Sequence, residues 1–165
     1  MSKKILGVVV GLACALALTA GTARAHDGRQ PTIVFSVQNL GDASAACPGS
    51  LFGLSFDMVS PGRSLLGSGV SCVQSLEGCQ FAAGCHDTVG ATFTLDLPGR
   101  GSLTAPVVLR ETWLTDTTVL QLDHGTITSG TGDFAGAGGS INCVGTVQFT
   151  DTQVIPRLVC VVGVN

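Results

Sequence analysis

The chain has no tyrosine, a single tryptophan (Trp113), and no lysine beyond Lys3 and Lys4. Without tyrosine, no phenol can act as an acid or stabilise a charge. After residue 25 the only cations of fixed charge are Arg29, Arg63, Arg100, Arg110 and Arg157, set against all eleven carboxylates. Phosphate backbones and anionic lipid surfaces require clustered positive charge. Nucleic acid and anionic membranes are therefore excluded as partners, and the acidic balance fits a soluble, exported protein. Cys-x-x-Cys is also missing, which excludes a zinc knuckle and haem attachment even though Cys79, Cys85, His86 and Asp87 crowd together. No Gly-x-Ser-x-Gly elbow is present, and Gly67-Ser68-Gly69 sits in a strand context. Gly130-Thr131-Gly132 lacks the lysine and the helix of a phosphate loop. No metal site and no cofactor is expected from these patterns. A copper-chelating His26-Asp27 at a processed terminus would be incidental.

The N-terminus reads as a processing signal. Lys3 and Lys4 precede an apolar run, Ile5 to Ala20, and Ala23-Arg24-Ala25 is a small-x-small cleavage site. The expected division is a signal peptide over 1–25 and one domain over 26–165, secreted or periplasmic, with no stable membrane anchor. The apolar run is short for a spanning helix, which needs about 20 residues. Cys14 lacks the large apolar residue that normally lies three places before a lipidated cysteine.

Past that signal stand six cysteines, Cys47, Cys72, Cys79, Cys85, Cys143 and Cys160. An even set behind a signal peptide implies disulfides formed in an oxidising compartment. One pair follows from register. Residues 140–150 and 153–163 read as two strands joined at Asp151-Thr152, and folding that hairpin places Cys143 opposite Cys160. The other four are not paired by spacing, and Cys79 with Cys85 is only the simplest choice.

The rest reads as all-β. Thr32–Gln38 alternates Ile33, Phe35 and Val37; Phe52–Met58 alternates Phe52, Leu54, Phe56 and Met58; Ala91–Leu97 alternates Phe93, Leu95 and Leu97. Further runs lie at Leu65–Val73, Ser102–Leu114 and Thr117–Thr128, and residues 74–88 read as irregular. Pro106 removes a ladder donor from its run and belongs at an edge or a bulge. The spacing predicts about eight strands in a closed up-and-down barrel or a sandwich. The glycine-rich connection 125–141 suits a close-packed turn, with Phe134 and Ile141 as anchors to the core.

Three motifs occur in an order that resembles plant allene oxide cyclases: Gly62-Arg63-Ser64-Leu65-Leu66-Gly67-Ser68-Gly69-Val70-Ser71-Cys72, then Gly101-Ser102-Leu103-Thr104, then Ile127-Thr128-Ser129-Gly130-Thr131-Gly132-Asp133-Phe134-Ala135-Gly136. Dirigent proteins carry a similar glycine-phenylalanine element. The resemblance spans roughly residues 32–150. It implies a single closed eight-stranded antiparallel barrel with a central cavity, often dimeric or trimeric, that steers a cyclisation or a coupling of an apolar substrate. Carrying the family's residues over largely fails: its first-strand Glu and Asn fall on Ser36 and Gln38, and its cavity cysteine on Cys72. Allene oxide cyclisation itself is not expected.

The candidate catalytic residues are His124, Gln38 and Glu111. His124 shares the parity of Leu120 and Leu122, which would turn it inward, whereas Asp123 on the opposite parity reads as solvated. Arg110 and Glu111 lie on opposite faces, so one of them must point inward unless the strand is irregular, and Arg157 could pair with an acid. A cavity would be lined by Phe35, Phe56, Phe93, Leu95 and Trp113. Two functions remain open: a barrel binding a small apolar molecule, as a cyclase, isomerase or dirigent-like steering protein, and a non-enzymatic structural or interaction protein with a filled barrel. Few aromatic and titratable side chains favour the second, whereas the resemblance favours the first.

Overall fold

Alternation of apolar and polar residues gives each strand one face to bury, and closing the sheet on itself buries that face without leaving an edge. The computed structural model describes residues 31–165, and in them this solution is realised. Nine strands follow in order: β1 Thr32–Asp42, β2 Phe52–Val59, β3 Leu65–Gly78, β4 His86–Leu97, β5 Gly101–Thr115, β6 Thr118–Ile127, β7 Ser129–Gly130, β8 Gly139–Phe149 and β9 Val154–Val164. Every pairing is antiparallel, and the ladder runs β4-β3-β2-β1-β9-β8-β6-β5 before β4 meets β5. The eight long strands therefore form a closed barrel, and the two-residue β7 continues the line of β6 along β5. The proposed signal peptide, Cys14 and His26-Asp27 lie outside the described residues. Among those residues no helix is long and apolar enough to cross a membrane.

The barrel interior divides into two halves. One half is filled by Phe35, Met58, Leu103, Ile141 and Val162, each at most 1% exposed. The glycine-rich connection closes this end. Phe134 sits there 3% exposed, with the Arg100 guanidinium 4.8 Å above its ring and Asp133 3.5 Å from the Arg100 Nε. A close approach explains one glycine in the wall. Gly69 on β3 faces Phe56 on β2, and a Cβ there would overlap the Phe56 ring.

One reading of the sequence is corrected and another is met. Residues 74–78 and 86–88 are not irregular. They extend β3 and β4 past a bulge between Val73 and Ser75, pairing Gly78 with Asp87, and leave only 79–85 as a loop. Pro106 lies at a bulge, one of the two places expected for it. The β5–β6 register ends at Val107–Gly125 and resumes with β7 at Thr104–Ser129, so Pro106 falls in the break. Three disulfides join Cys47 to Cys72, Cys79 to Cys85 and Cys143 to Cys160. The last lies in register across β8 and β9, as the hairpin argument requires.

Candidate functional site

The other half of the barrel is hollow. A cavity of about 290 Å³ opens towards the β1–β2, β3–β4 and β8–β9 loops. Its wall is mostly apolar: Phe56, Val73, Phe93, Leu109, Val147 and Leu158 are among the side chains that face it. At the mouth three rings meet. Phe81 from the loop lies with its centroid 4.7 Å from Trp113 and 5.7 Å from Phe149, and Trp113 stacks 5.5 Å from Phe149. Phe81 is 55% exposed while Trp113 beneath it is buried. The loop is held there by the Cys79–Cys85 bridge and by backbone bonds, Gly84 N–H to the Trp113 carbonyl and Trp113 N–H to the Cys85 carbonyl.

One side of this apolar chamber carries acids. The hairpin register places Glu111 of β5 beside Asp87 of β4 and Gln121 of β6, while Asp123 follows two residues along β6, opposite Leu109. Glu111, Gln121 and Asp123 line the cavity. Asp87 and Asp123 are each only 4% exposed. The Trp113 indole N–H donates to Asp87 Oδ2 at 2.6 Å, and the Gln121 amide donates to Asp123 Oδ2 at 3.1 Å. The remaining oxygens, Asp87 Oδ1 and Asp123 Oδ1, have no hydrogen-bond partner.

Such burial disfavours the charged carboxylate. Glu111 is pushed up to about 7, chiefly by loss of water and further by the nearby charge of Asp87. Asp123 is also pushed up to about 7 by loss of water, with the Gln121 bond opposing and the Glu111 charge adding to the shift. Two carboxyls that titrate near neutrality can give or take a proton there, or accept a hydrogen bond from a guest. Among the described residues no group of three or more His, Cys, Asp or Glu side chains is arranged to hold a metal ion.

The residues singled out from the sequence separate. Glu111, Phe56, Phe93 and Trp113 face the cavity, whereas Phe35 and Leu95 are buried in the filled half. Gln38 is exposed beside a bulge in β1. His124 is corrected: it points outward, and its Nδ1 pairs with Asn142 Oδ1 at 2.8 Å on the exposed face. Asp123, read as solvated, is the residue that points in. The error lay in assigning the apolar parity of β6 to the core. Leu122 is in fact 51% exposed, and the polar parity faces the chamber. Arg110 lies outward, and Arg157, also outward, forms no ion pair among the described residues. A usable signal was present. Trp113 and Glu111 share a parity, and a hairpin turn at Asp116-Thr117 carries that face onto Val119, Gln121 and Asp123. No protein-family model, curated protein or solved structure matches this chain.

Proposed function

We propose that the barrel binds one small, mostly apolar molecule in this chamber and orients it by the acidic side. The observation that carries this reading is a hollow of about 290 Å³ in an otherwise filled barrel, its wall apolar except for Ser71, Gln80, Glu111, Gln121 and Asp123. A structural barrel has no need of such a hollow. Burying carboxylates in it costs stability, which is reasonable where a site rather than a scaffold is being built. The resemblance to allene oxide cyclases and dirigent proteins supports the same reading, and the three disulfides fit an oxidising compartment outside the cytoplasm. A second reading, rearrangement of the guest by an isomerase or cyclase, is favoured by the two carboxyls that titrate near 7.

Binding is tested with the neutral fluorophore N-phenyl-1-naphthylamine. Trp113, the only tryptophan, forms part of the wall, so its emission reports an occupied chamber directly. The expected result is saturable one-to-one binding with quenched Trp113 emission, weakened at least tenfold by Val89→Phe, which fills the chamber. His124→Ala, on the outer face, should leave binding unchanged. No binding by the wild-type protein, or equal binding by the filled variant, overturns the proposal.

A further inference from the structure

The chamber is acidic without a cation to balance it. On β4 the group beside Glu111 is Asp87, on β6 it is Asp123 with Gln121, and β8 and β9 contribute Cys143, Val147, Leu158 and Cys160. No arginine or histidine is among the residues lining the chamber. The nearest ones by sequence turn away: His86 pairs its Nδ1 with Thr112 Oγ1 on the outer face, and Arg110 is exposed. Asp123 is 4% exposed, and its Oδ1 is buried without a partner on the wall of the chamber. A buried carboxylate oxygen in that position requires a donor. The stacked rings of Trp113 and Phe149 offer π faces at the same end, which attract a cation held against them.

We propose that the guest is an organic amine, bound as its ammonium ion, with the N–H groups on Glu111 and Asp123 and an aliphatic or aromatic body against the apolar wall. This rests on the binding reading above and names its ligand class. An ammonium group supplies both what the orphan oxygen lacks and the charge the chamber lacks, whereas an alcohol supplies only a donor and a carboxylate only repulsion. Glu111 and Asp123 ionise around neutrality. The ammonium ion therefore binds the deprotonated pair and releases protons when it binds below that point, so its affinity rises as pH rises through about 7 and then levels.

The experiment displaces bound N-phenyl-1-naphthylamine with n-octylamine, 1-octanol and octanoate, which share one chain and differ in the head group. At pH 8 octylamine should displace the fluorophore at a concentration at least tenfold below that of octanol, with octanoate weakest. At pH 5.5 the preference for the amine should shrink several-fold. In Glu111→Gln/Asp123→Asn the amine preference should vanish while octanol still displaces the fluorophore, which also shows that the variant is folded. Equal or weaker displacement by the amine at pH 8 overturns the amine assignment and leaves the apolar chamber intact. A preference that survives in the double variant assigns the head group elsewhere and overturns it as well. If the fluorophore itself never binds, it is the binding reading that fails.

Discussion

At the scale of single residues, two carboxyls hold more free energy than their small number suggests. An unfolded Glu or Asp titrates near 4, while Glu111 and Asp123 in the fold titrate near 7. Between those values the folded protein binds more protons than the unfolded chain, so their contribution to stability falls as pH rises from about 4 to about 7 and is constant above. Urea unfolding of the guest-free protein should show this as a loss on the order of 3 kcal/mol between pH 5 and pH 8. Glu111→Gln/Asp123→Asn should flatten that slope, and an unchanged slope would show that these residues do not carry it. The acids were only half legible in the sequence. Glu111 was visible because on a regular strand either it or Arg110 has to point inward, and the parity it shares with Trp113 decides between them. Asp123 was hidden because Leu120 and Leu122 beside it imitate a core face, and hydrophobicity alone chose the wrong side. A binding site is where that rule fails, since the polar parity there is turned inward on purpose.

At the scale of elements, hairpin geometry was the more reliable guide. The turn after Phe149 fixes Cys143 against Cys160 before any packing is known, because antiparallel register is set by the turn. The β3–β4 hairpin was read too short. Gln74, Ser75 and Glu77 carry little apolar signal, yet the Cys79–Cys85 bridge closes their loop and lets the ladder run on to Gly78 and Asp87. The β2–β3 pair makes a sharper test. Phe56 lies over Gly69 and meets Phe93 edge-on, with ring centroids 6.0 Å apart. Gly69→Ala drives the Phe56 ring off that seat. The expected cost is about 1–3 kcal/mol in urea unfolding, together with weaker fluorophore binding, because the displaced ring moves within the chamber wall. Unchanged stability and binding would show that the wall yields elsewhere.

At the scale of the whole molecule, the ladder of eight long strands closes through β4 and β5, and one end is stoppered by Phe134. A ring without a free edge does not part sideways, so a guest leaves by the open end, past Phe81. That turns a matter of shape into one of time. Phe81 stands over Trp113 at the mouth and is 55% exposed, so Phe81→Ala should raise the association and dissociation rates of the fluorophore by similar factors in stopped flow and leave Kd nearly unchanged. A change in Kd with the rates unaltered would place the passage elsewhere. How long a guest stays is then set by one ring on the seven-residue loop 79–85, while how tightly it is held is set by the acids and the wall inside, so residence can be altered without altering affinity.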